Sequence, residues 1–213
     1  MKKIFTLIAV ALCAMSVSAQ TEWNFSDWTP VTISETTTIN GLTVYAESAA
    51  SIAIDASKKT IDGAVYTQRL KFGGTGAFDE SGISPTSRVL EFNVPGDCAI
   101  YIAYAHASSS GDDRILNVCA GTEDNVVGTC TATPGATSSN TINYKGDATK
   151  IYVYSKNSGI NIYDIKYMTS TGIDKVTTGN VDANAPLFST AGTQVNDSYK
   201  GIVIQNNKKF IKK

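Results

Sequence analysis

From Tyr66 to Phe72 the chain reads YTQRLKF, with Tyr66, Gln68, Leu70 and Phe72 in alternation with Thr67, Arg69 and Lys71. A period of two places successive side chains on opposite faces of an extended strand, and the pattern recurs. In Arg88–Val94, Leu90, Phe92 and Val94 point one way, Glu91 and Asn93 the other. In Cys98–Ala105, Cys98, Ile100, Ile102 and Tyr104 share the inward face, while Ala99, Tyr101, Ala103 and Ala105 look outward. Further short runs at Val31–Ser34, Leu42–Ala46, Ile115–Cys119, Ile151–Tyr154 and Ile160–Tyr167 are separated by Gly, Asp, Asn and Ser clusters. No segment carries a convincing amphipathic helix. The pattern predicts an all-β fold of half-solvated antiparallel strands. Eight strands over roughly 150 residues suit a two-sheet β-sandwich of the jelly-roll type.

The ends of the chain differ from this body. Residues 1–19 begin with Lys2 and Lys3, continue as an apolar run from Ile4 to Met15, and place small residues at Val17 and Ala19. That is the layout of a secretory signal peptide cleaved after Ala19, and the run is too short to span a bilayer. Leu12 before Cys13 is bulkier than lipoprotein processing usually accepts. The expected location is therefore outside the cytoplasm: periplasmic, cell-surface or extracellular. Residues 20–169 form the sandwich, and the polar, turn-rich residues 170–185 read as a linker. Residues 186–213 hold short strands at Leu187–Phe188, Gln194–Val195 and Gly201–Gln205, with QNNKK as a hairpin turn: a small C-terminal β-hairpin appendage.

Composition narrows the function classes. Loss of Lys2 and Lys3 shifts the formal charge from -1 to -3, which gives no basis for nucleic-acid or anionic-membrane partners. Cys98, Cys119 and Cys130 remain, without metal-ligand spacing. They allow one disulfide with one buried thiol, or three buried thiols.

Two resemblances attach to particular residues. The last stretch, with Gly172-Ile173-Asp174-Lys175-Val176, Pro186, Gly192, Gln194-Val195, Lys200-Gly201-Ile202 and Lys208-Lys209, resembles the C-terminal sorting-type tails of secreted Bacteroidetes proteins. Val203 and Asn207 depart from that pattern, which has an aromatic and a glycine there. The body, through WNFSDW, YTQRLKFGG, SRVLEFNV, HASSSGDDRILNV and SGINIYDIKY, resembles noncatalytic β-sandwich modules attached to secreted pectate lyases and related polysaccharide enzymes. Its last stretch is also similar to the final strand of galactose-binding-like jelly rolls. The resemblance implies carbohydrate binding; the lyase domain itself is absent from this chain.

Catalysis has few candidates. His106 is the single histidine, so a Ser-His-Asp arrangement would depend on it and on Ser108–Ser110 or Asp112–Asp113 in the same loop. Glu80, Glu91, Asp112, Asp113 and Asp164 are available as carboxylates for such a pair, but the sequence shows no two of them converging on one site. No zinc or EF-hand string is present, although a structural calcium ion could brace such a sandwich. No cofactor is expected.

Sugar recognition requires an aromatic face and planar hydrogen-bonding groups, with arginine favoured for carboxylates. Tyr101, flanked by Ala99 and Ala103, together with Arg69 and Lys71, would form an aromatic–cation platform if their strands share a sheet. The alternative is a surface tyrosine beside cations paired to acidic neighbours. His106 is carried as a ligand-binding candidate. Arg114 either reaches a ligand or bridges Asp112 or Asp113. The two tryptophans stand in WNFSDW: Trp23, sharing a face with Phe25, is expected to pin the first strand. In a fully extended chain Trp28 would fall opposite them; preceding Pro30 and following a turn at Ser26–Asp27, it is expected as a cap or a rim residue. The leading expectation is a secreted noncatalytic module for plant, pectic polysaccharide. A surface structural or adhesion protein with a protein partner is the alternative, and a small polysaccharide-acting enzyme the second.

Overall fold

The computed structural model describes residues 20–169, 186–196, 198–205 and 208–212; the expected signal peptide and linker lie outside them. The first strands are β1 (Gln20–Asn24), β2 (Val31–Ile33), β3 (Thr37–Ile39), β4 (Leu42–Tyr45), β5 (Ile52–Ile61) and β6 (Ala64–Phe72). Then come β7 (Ala77–Phe78), β8 (Pro85–Ser87), β9 (Val89–Val94), β10 (Cys98–His106) and β11 (Arg114–Ala120). β12 (Val126–Ala132), β13 (Thr137–Tyr144), β14 (Thr149–Ser155) and β15 (Ile160–Thr169) complete the body.

These build a two-sheet sandwich. Sheet I is seven-stranded, in the order β13-β10-β15-β6-β5-β2 with β1 added on β15. Sheet II is six-stranded, in the order β12-β11-β14-β9-β4-β3. The alternating residues meet between them: Leu70, Phe72, Ile100, Ile102, Ile162 and Ile165 from sheet I pack with Leu42, Leu90, Phe92, Leu116, Val118 and Val153 from sheet II. Burial of these apolar faces is the main driving force for such a sandwich.

The eight expected strands are present, with ends moved by one or two residues. Three long strands were not expected, for identifiable reasons. β5 breaks its own alternation where the register with β6 shifts between Ala56 and Lys59, a bulge that flips the parity of the residues after it. β12 and β13 are rich in Gly, Ser, Thr and Asn, and their polar side chains suit positions with little burial.

Trp23 docks the first strand as expected. It is 3% exposed, sits opposite Ile165, donates Nε1–H to the Asn40 carbonyl at 3.0 Å and lies 4.9 Å from the Phe92 ring. The expected position of Trp28 needs correction. A single 3₁₀ turn at Phe25–Asp27 brings residue 28 back over residue 25, so Trp28 meets Phe25 edge-on at 5.1 Å rather than facing away.

Two covers sit on the sheets' outer faces. On sheet II, the segment from Gly73 to Ser87 carries the β7–β8 pair and places Phe78 against Tyr152 and Tyr154. The Gly-rich stretch Gly73–Gly76 is thus packed against sheet II, Gly76 lying close to Tyr154. Arg88 is not the first residue of a strand: it takes a left-handed φ of 53° between β8 and β9. Cys98, Cys119 and Cys130 are three buried free thiols.

Described by itself, the C-terminal unit is a four-stranded sheet in the order β17-β16-β18-β19: β16 (Leu187–Ser189), β17 (Gln194–Val195), β18 (Gly201–Gln205) and β19 (Lys208–Lys212). The expected hairpin is its β18–β19 half. Val203 of β18 is buried and pairs with Ser189 of β16 on one side and Phe210 of β19 on the other.

Candidate functional site

The second cover creates the site. Beyond the β5 bulge, the hairpin of β5 and β6 leaves the plane of sheet I. Only Asn161 and Ile162 of β15 pair with β6, and β1 takes Asp164 to Met168. At the hairpin tip, Asp62 and Gly63 adopt φ of 49° and 80°, as a tight two-residue turn requires. The Asp62 carboxylate accepts from the Tyr101 hydroxyl at 3.1 Å and from Ser139 Oγ. The tip therefore reaches over β15 to β10 and β13. Ile61 and Tyr66 on its underside pack on Ala103, Ala105 and Tyr163. Tyr66 thus leaves the inward face it was expected to share with Leu70 and Phe72. Small alanines on β10 give the hairpin room.

A second bulge, in β15, helps. The β10–β15 register slips between Ala103 and Tyr104, and Tyr163 and Asp164 both lie on the outer face. Tyr163 Oη meets Ser57 Oγ at 3.0 Å. Asp164 is 1% exposed. Its Oδ2 lies 3.4 Å from the Tyr66 hydroxyl and 3.5 Å from Lys166 Nζ. Burial, then the neighbouring Glu22, push its carboxyl up to about 6 against the pull of Lys166.

To one side of the hairpin lies a cavity of about 280 Å³. Arg69, Ala105, Asn161 and Tyr163 line it from the strands, Lys59 from the hairpin, and His106–Ser109 with Gly135–Ala136 from two loops. Among the described residues no carboxylate lines it. Arg69 is held bidentate by Asp55 (Nε–Oδ1 2.6 Å, Nη2–Oδ2 3.3 Å), which raises its pKa further. That leaves three guanidinium N–H groups beyond the pair. Asn161 is 3% exposed, and its Oδ1 has no hydrogen-bond partner. An unsatisfied buried carbonyl oxygen costs about 1–3 kcal/mol, so this atom is an open acceptor.

A separate cavity of about 450 Å³ opens beside β2 and β3, lined by Asp27, Trp28, Thr29, Pro30, Val31, Ile39 and Asn40.

No protein-family model matches the chain. No curated protein matches it either. Among solved structures it is similar to a cleaved adhesin domain of Lys-gingipain from Porphyromonas gingivalis, with 12% identity, 71% of this chain and 99% of that one covered, and a TM-score of 0.45. It is also similar to a family 35 carbohydrate-binding module from Clostridium thermocellum (13% identity, 67% and 100% covered, TM-score 0.39). A third is the C-terminal CBM6 of the laminarinase LamC from Zobellia galactanivorans (17% identity, 54% and 89% covered, TM-score 0.34).

Of the six residues singled out in the sequence, Arg69 and His106 meet in the 280 Å³ cavity. Lys71 is exposed beside it, paired across the sheet with Asn161. Tyr101 shares the sheet and the face but lies beyond the hairpin. Its ring is covered by Lys166 Nζ, 4.6 Å from the centroid, and its hydroxyl is engaged by Asp62, so it is not the open platform expected. Arg114 donates to the Gly159 carbonyl; among the described residues it makes no ion pair with Asp112 or Asp113. Trp28 belongs to the other cavity. Lys59, Asn161 and Tyr163 were not singled out, because a crossing hairpin leaves no local sequence signal.

His106 serves the loop. Its Nδ1 lies 2.6 Å from the Ser108 carbonyl oxygen and 2.9 Å from the Ser108 nitrogen, and its Nε2 lies 3.1 Å from the Asp112 carbonyl. All three contacts are with backbone, so the Ser-His-Asp arrangement is not assembled around it. Among the described residues no group of three His, Cys, Asp or Glu gathers to hold a metal ion.

Proposed function

We propose that this protein is an exported, noncatalytic saccharide-binding protein, and that the outer-face cavity of sheet I takes an acidic sugar of pectic type. The observation that carries the reading is the open acceptor Asn161 Oδ1, buried in a cavity whose charged lining groups are Lys59 and Arg69. A sugar hydroxyl supplies the missing donor. A uronate carboxylate pairs with Lys59 and the guanidinium N–H groups of Arg69 not taken by Asp55, the geometry guanidinium groups favour. A volume of about 280 Å³ is just below the range of drug-sized ligand pockets, in keeping with one or two sugar rings. The layout of residues 1–19 supports export, and the C-terminal tail would serve routing to the surface.

The test is calorimetric titration with trigalacturonate and with neutral oligosaccharides, using wild type, Asn161→Ala and Arg69→Gln. Saturable binding of the acidic sugar, weakened at least about tenfold by either change (roughly 1.4 kcal/mol), is expected. No heat with trigalacturonate from folded protein sinks the reading. The adhesion alternative then gains from β13, an eight-residue edge strand of the kind to which a partner strand can add.

A further inference from the structure

We propose that the 450 Å³ cavity beside β2 and β3 is a second saccharide site, of opposite electrostatic character, that takes a neutral pyranose stacked on Trp28. It uses no residue of the outer-face cavity and stands or falls separately from it.

Trp28 is held in place from three directions. Its N–H donates to the Phe25 carbonyl at 3.2 Å, its carbonyl accepts from Gln68 Nε2 at 2.8 Å, and its ring rests edge-on against Phe25. A half-buried indole fixed in this way gives a flat apolar surface with little entropy left to lose on binding. The facing wall is fixed as well. Asn40 and Gly41 form the β3–β4 turn at φ of 52° and 80°, and Trp23 Nε1–H anchors the Asn40 carbonyl from below. The two tryptophans thus divide the work: Trp23 sets one wall from inside the core, and Trp28 lines the opening.

The remaining lining separates apolar from polar groups as a sugar does. Pro30, Val31 and Ile39 extend the apolar surface, Val31 being 46% exposed. Asp27, Thr29 and Asn40 are exposed polar residues that could meet ring hydroxyls. Among the described residues Asp27 is the one charged group lining this cavity, with Glu35 lining the hollow next to it, and these carboxylates repel a uronate. Val31 and Ile39 also line an adjoining hollow of about 260 Å³ beside Ile33, Ser34 and Thr37, so the cavity continues as a trough able to follow a short chain of sugars. A peptide adding to the sheet edges fits less well. β2 and β3 have three residues each, and Pro30 ahead of β2 has no N–H to donate.

The natural probe is already in the chain, because Trp23 is buried and emission changes on ligand binding report Trp28. Xylohexaose, cellohexaose and laminarihexaose are titrated against the processed protein, reading tryptophan emission and heat together. At least one is expected to saturate with a shift in emission. Affinity should fall at least about tenfold in Trp28→Ala and in Asp27→Ala, and stay unchanged in Arg69→Gln and in the presence of saturating trigalacturonate. Asp27 is exposed, so its variant keeps the test valid if Trp28→Ala fails to fold. The proposal is overturned if no neutral sugar moves the emission, if Asp27→Ala and Arg69→Gln lose binding in the reverse pattern, or if trigalacturonate displaces the neutral sugar. The first result leaves the acidic site standing; failure of trigalacturonate alone leaves this one standing.

Discussion

The hydroxyl of Tyr101 donates to the carboxylate of Asp62 at 3.1 Å across 39 residues of chain, fastening the tip of the β5–β6 hairpin over the outer face of sheet I. Together with Ser139 on the same carboxylate and the packing of Ile61 and Tyr66 beneath, it holds the hairpin that walls the cavity on one side and covers the tyrosine on the other. Tyr101→Phe should lower stability by about 0.5–1.5 kcal/mol and speed amide hydrogen exchange at Ile61–Val65. It should leave trigalacturonate affinity nearly unchanged. Urea melts and exchange mass spectrometry read the first two, and calorimetry the third.

Asp164 makes stability depend on pH in a definite direction. Its folded pKa of about 6 lies above the ordinary value of 3.8, so the folded state binds its proton more readily than the unfolded one. The contribution is complete below about pH 4 and is lost as pH rises through about 6. Between about pH 7.5 and 5, wild type should gain about 1–2 kcal/mol relative to Asp164→Asn. Paired thermal melts across that window check the sign, and a wild type that loses stability relative to Asp164→Asn on acidification would contradict it.

Gly76 has no room for a side chain. A Cβ there would stand 2.6 Å from Tyr154 Cβ and 2.8 Å from the Arg88 carbonyl oxygen, so either strand or cover must move. Gly76→Ala should cost about 1–3 kcal/mol by urea denaturation, with altered near-ultraviolet dichroism from the Phe78–Tyr152–Tyr154 cluster.

The cysteines should be inert in the native protein. Burial pushes the thiols of Cys98 and Cys119 up to about 11 and that of Cys130 up to about 12, so almost no thiolate exists near neutrality. An aromatic disulfide reagent at about pH 8 should label none of the three until denaturant is added.

Strands whose alternation runs unbroken, such as β9 and β10, could be read from sequence because one face meets the core along their whole length. β5 could not, because its bulge changes which face looks inward halfway along. The same bulge explains the mixed legibility of the site. Arg69 was found because a cation opposite apolar neighbours stands out in any strand. Asn161 and Tyr163 looked like ordinary members of INIYDIKY, and their burial on the outer face comes from a hairpin almost a hundred residues away. Tyr101 misled for the same reason: flanking alanines suggest an accessible ring, yet Ala103 and Ala105 are small because the hairpin rests on them. Trp23 and Trp28 differ in role through one 3₁₀ turn, whose place at Ser26–Asp27 was legible although its consequence for Trp28 was not.

The most direct test of the account is an amide and side-chain-amide NMR titration of residues 20–213 with trigalacturonate. Saturable shifts centred on the Asn161 carboxamide and on the backbone of Ser108, Ser109 and Ala136 are the predicted result. Shifts centred elsewhere, or none at millimolar sugar, would contradict the assignment of the outer-face cavity as the binding site.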